Sequence, residues 1–109
     1  MKELSDKIKP IIEEIKSKLT GIYKDRLKGI ILFGSYARGD SAEGSDIDII
    51  ILLENLTNAI QEYDRISKDI CDIGFKYDTI VSIIHIDADE YNTAMFPFVL
   101  NARREGIVI

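Results

Sequence analysis

Two short apolar runs, separated by a loop with almost no large apolar side chain, constrain the fold of this chain most. The first run is Gly29 to Gly34, and the second is Asp46 to Leu53, in which β-branched isoleucines dominate. Runs of this length and composition are typical of β-strands, and the first indicates a strand buried on both faces. The chain is therefore expected to contain a sheet with a polar loop, Ser35 to Ser45, at one end of it.

Two apolar stripes with helical spacing flank this strand pair. A period of 3.6 residues predicts one helix before the strands and one after them. Pro10 must lie in the first turn of the first helix, Thr20-Gly21 is the expected stop, and Gly74 is the expected C-cap of the second helix. The stripes consist of Leu4, Ile8, Ile11, Ile12, Ile15 and Leu19, and of Leu56, Ile60, Tyr63, Ile66, Ile70 and Ile73.

The remaining third of the chain repeats the alternation of strand and helix. Thr79 to Ile86 is predicted as a strand, and Asp87 as the N-cap of a helix. Pro97 is expected to open a last helix that Gly106 ends, and Ile107 to Ile109 to add an edge strand. The predicted fold class is α/β (α+β), a small mixed β-sheet packed with helices. Residues 1–109 are interpreted as a single domain.

Composition excludes several classes of function. The 109 residues carry a formal net charge of −5, which does not favour general nucleic-acid binding. The one cysteine, Cys71, and the one histidine, His85, make a structural zinc site implausible. We interpret Cys71 as a small buried hydrophobe and His85 as a strand-end or partner-facing residue. With no apolar run of membrane length and no signal-like N-terminus, a cytoplasmic location without membrane association is expected.

The loop and the strand after it carry the residues best suited to chemistry. Asp46 and Asp48 are two apart at a strand start, so their side chains leave the same face, repel each other and favour a bound cation such as Mg²⁺. Gly34 and Ser35 directly follow a strand, where a helical turn would direct free N–H groups at an anion. Arg38 could add a charge-assisted contact to the same phosphate.

Each half of this pattern is common by itself. An Asp-x-Asp pair usually marks a solvated strand start, and Gly-Ser after a strand is an ordinary turn. Few structural needs would demand their combination, a phosphate-binding turn at one strand end and a carboxylate pair entering the next strand. The joint pattern therefore favours a nucleotide and metal site.

The segment Gly34-Ser-Tyr-Ala-Arg-Gly-Asp40, followed by Gly44-Ser-Asp-Ile-Asp48, resembles the signature of the DNA polymerase β-like nucleotidyltransferase superfamily. It is most similar to the minimal nucleotidyltransferase (MNT) domains. The resemblance implies that Gly34 and Ser35 bind a nucleoside triphosphate, with Asp46 and Asp48 as catalytic ligands of two Mg²⁺ ions, or of Mn²⁺. Arg38 is expected to join the nucleotide-binding residues because of its charge and its position three residues after Ser35. It also implies transfer of a nucleoside monophosphate, usually AMP from ATP, onto a hydroxyl of a protein or small molecule.

In one respect the sequence departs from the family pattern. Ser82 occupies the position on the third strand where active members usually carry a third acidic residue. Two readings therefore stay open: an enzyme, and a catalytically weak or inactive nucleotide-binding module that assembles with a partner. The resemblance further suggests the MNT antitoxin of a toxin–antitoxin pair with a HEPN-type helical partner protein. A homo-oligomer is also left open.

Overall fold

The computed structural model of the chain describes residues 4–40 and 44–109, so part of the predicted loop lies outside the described residues. The helices are α1 (Lys9–Tyr23), α2 (Ser35–Arg38), α3 (Ala59–Tyr77), α4 (Ala88–Tyr91) and α5 (Pro97–Glu105), with a 3₁₀ turn at Lys24–Arg26. The strands are β1 (Leu27–Phe33), β2 (Ile47–Leu53), β3 (Val81–Asp87) and β4 (Ile107–Val108). This order confirms the predicted alternation of helix and strand.

The strands form one four-stranded mixed sheet in the order β3-β2-β1-β4. β1 is antiparallel to both β2 and β4, whereas β2 and β3 are parallel. A parallel neighbour needs a crossover connection, and α3 provides it. The predicted mixed sheet packed with helices is therefore the observed fold.

Successive residues along each strand belong to opposite faces of the sheet. One face, called here the α1/α3 face, packs Ile30, Leu32 and the odd-numbered residues of β2 against the apolar stripes of α1 and α3. The other, called the α5 face, packs Ile31 and Ile50 against Tyr91, Val99 and Ala102. Each fully buried aliphatic side chain contributes roughly 1.5–3 kcal/mol, so the isoleucine-rich β2 anchors both cores. By the same alternation Asp48 lies on the α5 face.

Local chemistry explains where most of the helices begin. Pro10 lies in the first turn of α1, as predicted. Asn58 caps α3 by accepting a hydrogen bond from the Gln61 N–H at 3.0 Å. Asp87 caps α4, as predicted, by accepting from the N–H groups of Asp89 and Glu90 at 3.1 and 3.3 Å. Pro97 opens α5 and Gly106 follows its last residue, which confirms both of those predictions.

The predicted end of α3 is wrong. The helix continues past Gly74 to Tyr77 and is capped by Asp78 in the left-handed region, with φ 53°. Gly74 instead lies buried within the helix. Glycine is needed there because a Cβ would lie 2.7 Å from the carbonyl oxygen of Thr79. Cys71 on the same helix is exposed, so its interpretation as a buried hydrophobe is also wrong. Likewise, α1 runs two residues beyond Gly21 to Tyr23.

His85 is buried on the α1/α3 face and is neither a strand-end nor a partner-facing residue. Its Nε2 lies 3.0 Å from the hydroxyl of Tyr23, the last residue of α1. Burial lowers the pKa of His85 and, together with the charge of Glu62, raises the pKa of Tyr23 to about 12. The pair is thus a neutral hydrogen bond that joins α1 to β3.

Within the described ranges, no helix combines the length and apolar character needed to cross a membrane.

Candidate active site

The two halves of the sequence motif meet at one edge of the sheet. Phe33, the last residue of β1, pairs with Asp48 of β2 in the antiparallel register. Gly34 and Ser35 directly follow Phe33 and therefore lie beside the Asp48 carboxylate. Asp46 lies just before the first residue of β2. The long connection between the strands brings together residues that are up to fifteen positions apart.

Gly34 is required at its position for two reasons. Its φ of 75° and ψ of −156° fall in a backbone region that is essentially open to glycine alone. A Cβ built on Gly34 would overlap Oδ2 of Asp48 and lie 3.2 Å from its Cγ. Because glycine has no side chain, the backbone of the turn can pack directly against the carboxylate of Asp48.

The residues after Gly34 form the single helical turn that the sequence predicted. The N–H groups of Ala37 and Arg38 both donate to the Gly34 carbonyl at 3.1 Å. The preceding N–H groups, those of Ser35 and Tyr36, start the turn and so have no acceptor within the helix. Tyr36 and Ala37 are buried in the α1/α3 core and hold the turn in place. The site therefore presents backbone donors next to a carboxylate.

Asp46 and Asp48 create an unbalanced negative charge at this edge. Asp46 is exposed, whereas Asp48 is partly buried. Burial raises the pKa of Asp48, the negative charge of Asp46 raises it further, and Arg38 partly opposes the rise. A partly buried carboxylate beside a second negative charge is suited to a divalent cation, which takes oxygen ligands and offsets the repulsion felt by Asp48.

Arg38 ends the helical turn with its guanidinium turned to the loop. Its Nε lies 3.1 Å from Oδ2 of Asp40, and both side chains are about half exposed or more. The Asp40 carboxylate raises the pKa of Arg38, with a smaller contribution from Asp48. Arg38 is thus a cation near the carboxylate pair that already has an exposed partner.

Ser82 is the neighbour of Asp48 on the third strand. The two residues are paired in the parallel register of β2 and β3, which puts their side chains on the same face. The Ser82 hydroxyl therefore lies beside Asp48, at the position where the family resemblance predicts a third acidic residue. Asp87 lies at the far end of β3 and caps α4. In residues 4–40 and 44–109, no group of three or more His, Cys, Asp or Glu side chains is arranged to hold a metal ion.

Sequence reasoning missed the contribution of α5 to this site. A cavity of about 170 Å³ lies between α5 and the start of the motif. Gly34 and Arg38 line it from the motif side, and Phe98, Asn101, Ala102 and Glu105 line it from α5. The spacing of these four residues, i, i+3, i+4 and i+7, places them on one helix face, and that spacing was the available sequence signal.

Comparison with known proteins shows the family to which the chain belongs. The sequence profile of a family described as nucleotidyltransferase domain matches residues 8–101. Two proteins of Methanocaldococcus jannaschii, both named "Putative protein adenylyltransferase", are similar in sequence. One is 43% identical over 74 residues, covering 68% of this chain and 74% of the relative. The other is 36% identical over 103 residues, covering 94% and 93%.

A solved structure described as a toxin-antitoxin with AMP-PNP shares the fold. Its TM-score is 0.62 at 24% sequence identity, and the match covers 88% of this chain and 69% of that one. The segment matched by the family profile, residues 8–101, includes the Gly-Ser turn, the Asp-x-Asp strand and the first five residues of α5. With the family profile spanning most of the sequence and this geometry at its centre, the chain belongs to the nucleotidyltransferase domain family and is a nucleotidyltransferase.

Proposed function

We propose that this nucleotidyltransferase transfers AMP from ATP, with Mg²⁺, onto a hydroxyl group of a partner protein. The observation that carries the proposal is the direct contact between the two halves of the motif. Gly34 lies on the carboxylate of Asp48, so a phosphate bound by the turn would lie next to a metal held by Asp46 and Asp48. The names of the M. jannaschii relatives and the ATP analogue in the toxin–antitoxin structure support this nucleotide and this kind of acceptor.

The raised pKa of Asp48 is the reason for assigning the metal to this carboxylate pair. Asp46 and Asp48 would hold Mg²⁺, which would supply positive charge for the phosphate oxygens and the leaving pyrophosphate. The Ser35 hydroxyl and the N–H groups that start α2 orient those phosphates. Arg38 exchanges the exposed carboxylate of Asp40 for a phosphate oxygen, because a doubly charged phosphate group attracts the guanidinium more strongly.

The reaction is a displacement at the α-phosphorus of ATP. The acceptor oxygen forms a bond to that phosphorus, the bond to the bridging oxygen of the pyrophosphate breaks, and pyrophosphate leaves. The acceptor proton passes to a base on the acceptor protein or to water, since Ser82 provides no carboxylate beside Asp48. Such chemistry depends on positioning and charge stabilisation.

We propose that the acceptor protein is the toxin of a toxin–antitoxin pair, a HEPN-type helical protein, with this chain as the antitoxin. The support is the toxin–antitoxin structure that shares the fold. In this arrangement AMP transfer onto a toxin hydroxyl would neutralise the toxin.

Calorimetric titration tests the nucleotide and metal site. ATP should bind the parent chain when Mg²⁺ is present and should bind at least tenfold more weakly to the Asp46→Asn/Asp48→Asn double variant. A matched variant, Asp64→Asn/Asp89→Asn, removes the same charge from two exposed positions outside the motif and should bind like the parent. Equal ATP binding by the parent and by the Asp46/Asp48 variant, or binding that ignores Mg²⁺, would contradict the proposed site.

The hydroxyl of Ser82 beside Asp48 favours one second candidate, a module that binds the nucleotide without transferring it. Transfer distinguishes the two. Incubation with Mg²⁺ and ATP labelled at the α-phosphate, with a HEPN-type protein as acceptor, should give labelled acceptor and one pyrophosphate per label. Binding of MgATP without label or pyrophosphate would establish the module and exclude the enzyme.

A further inference from the structure

The cavity between α2 and α5 opens at the backbone of Gly34, the first residue of the proposed phosphate-binding turn. The position of α5 over this edge is fixed by the chain that follows it. Gly106 leads directly into β4, whose Ile107 pairs with Leu32 of β1. A Cβ on Gly106 would lie only 2.7 Å from Cγ2 of Ile31, so the helix end packs tightly against the sheet. The cavity is therefore a fixed feature beside the motif.

The walls of the cavity offer an aromatic ring and one amide. Phe98 is 37% exposed, which leaves part of its ring free for a flat group. The Asn101 Oδ1 accepts a hydrogen bond from Nη2 of Arg104 at 3.0 Å, which orients the amide. The oxygen keeps a second lone pair and the amide nitrogen keeps its donors, so Asn101 can still accept and donate one hydrogen bond each.

This pair of groups matches a purine that presents a donor next to an acceptor. Adenine does so with its N6 amino group and N7, and an Asn side chain is a common bidentate partner of that edge. Guanine presents two acceptors, O6 and N7, at the same positions, which an amide cannot satisfy together. Stacking of a base on a phenylalanine adds affinity without selecting the base.

We propose that this cavity receives the nucleoside of the bound triphosphate, with Phe98 stacking on the base and Asn101 selecting adenine. The inference rests on the proposed function, since it needs the triphosphate at the Gly34–Ser35 turn. The α5 side is favoured over the larger cavity of about 450 Å³, which Ile8, Ile11, Tyr36 and Phe75 help to line. That cavity lies on the α1/α3 side, whereas Asp48 lies on the α5 face.

Competitive calorimetry with Mg²⁺ complexes of ATP, GTP and inorganic tripolyphosphate tests the assignment. The parent should bind ATP about tenfold more tightly than GTP, equivalent to about 1.4 kcal/mol. Asn101→Ala should lose this preference by weakening ATP about tenfold with GTP unchanged. Phe98→Leu should weaken both nucleotides several-fold. Neither variant should change the affinity for tripolyphosphate, which lacks a nucleoside.

Two matched variants serve as controls. Asn92→Ala removes an exposed amide directly after the end of α4, and Phe75→Leu removes an exposed ring from α3. Both should bind ATP like the parent. If Phe75→Leu weakens ATP while Phe98→Leu and Asn101→Ala do not, the nucleoside lies in the larger cavity and the assignment is overturned, with the proposed function intact. If the parent binds neither ATP nor tripolyphosphate with Mg²⁺, both proposals fail.

Discussion

Replacement of Gly34 by alanine should strongly destabilise the fold, because the added methyl group both strains the backbone and overlaps a neighbouring side chain. The backbone region with φ 75° and ψ −156° costs a non-glycine residue about 1–3 kcal/mol. The new Cβ also overlaps the Asp48 carboxylate, which must move or force the turn away from β2. We expect the free energy of unfolding to fall by about 2–4 kcal/mol. The midpoint of thermal unfolding should fall by roughly 10–20 °C.

Gly39→Ala is the matched control for this measurement. Gly39 also has a positive φ, 80°, but no atom lies within 4 Å of a Cβ built there. Its replacement should cost only the left-handed backbone penalty of about 1–2 kcal/mol. Urea denaturation followed by circular dichroism gives both values on the same scale.

A double-mutant cycle separates the overlap from the backbone cost. In the background of Asp48→Ala the carboxylate is absent, so Gly34→Ala should cost at least about 1 kcal/mol less than it does in the parent. The reasoning is refuted if Gly34→Ala is no more destabilising than Gly39→Ala, or if removal of the Asp48 carboxylate leaves the cost unchanged.

Four further predictions concern other interactions in the chain. The pKa of Asp48 is raised above its usual 3.8 in the fold, so its ionisation opposes folding as pH rises from that value. Urea denaturation should therefore show Asp48→Asn to be more stable than the parent near pH 7, with the difference vanishing near pH 3. Tyr23→Phe leaves the buried Nε2 of His85 without its partner and should cost about 1–3 kcal/mol by denaturation. Burial lowers the pKa of His85 below 6.5, so the parent should also lose stability as pH falls through 6.5. Thermal melts over a pH series should show that His85→Phe lacks this pH-dependent loss of stability. Gly74→Ala should destabilise the chain by about 1–3 kcal/mol despite the better helix propensity of alanine, because its Cβ meets a backbone oxygen; a stabilising effect in the same denaturation assay would contradict this.

The regular elements were predictable where a single periodicity governs the sequence. The isoleucines of β2 alternate between two buried faces, and the stripes of α1 and α3 follow helical spacing. The helix ends were predictable where a side chain or proline forms the cap, as at Asp87 and Pro97. At Gly74 the prediction failed, because a glycine near the end of an apolar stripe has the same local sequence signal whether it caps a helix or lets another segment approach closely.

The site was predictable only in the part that lies along one stretch of chain. Gly34, Ser35, Asp46 and Asp48 share a motif, so their proximity follows from two neighbouring strands. Asn101 and Phe98 join the same site only because β4 returns α5 to the edge of β1. That pairing depends on tertiary packing, which no local pattern reveals.

The antiparallel pairing of β1 with β2 has a consequence for the order of folding. The contact of Phe33 with Asp48 closes a short loop, whereas the pairing of Val108 in β4 with Ile31 spans 77 of the 109 residues. Since the entropy lost on closing a loop grows with its length, the hairpin is the cheaper of the two pairings to form. The sheet edge that carries Asp46 and Asp48 thus forms within the β1–β2 hairpin. Helix α5 packs over this edge only when the C-terminal strand β4 pairs with β1. Truncation after Glu105 should accordingly loosen the packing of α5 while leaving the pairing of Phe33 with Asp48 in place.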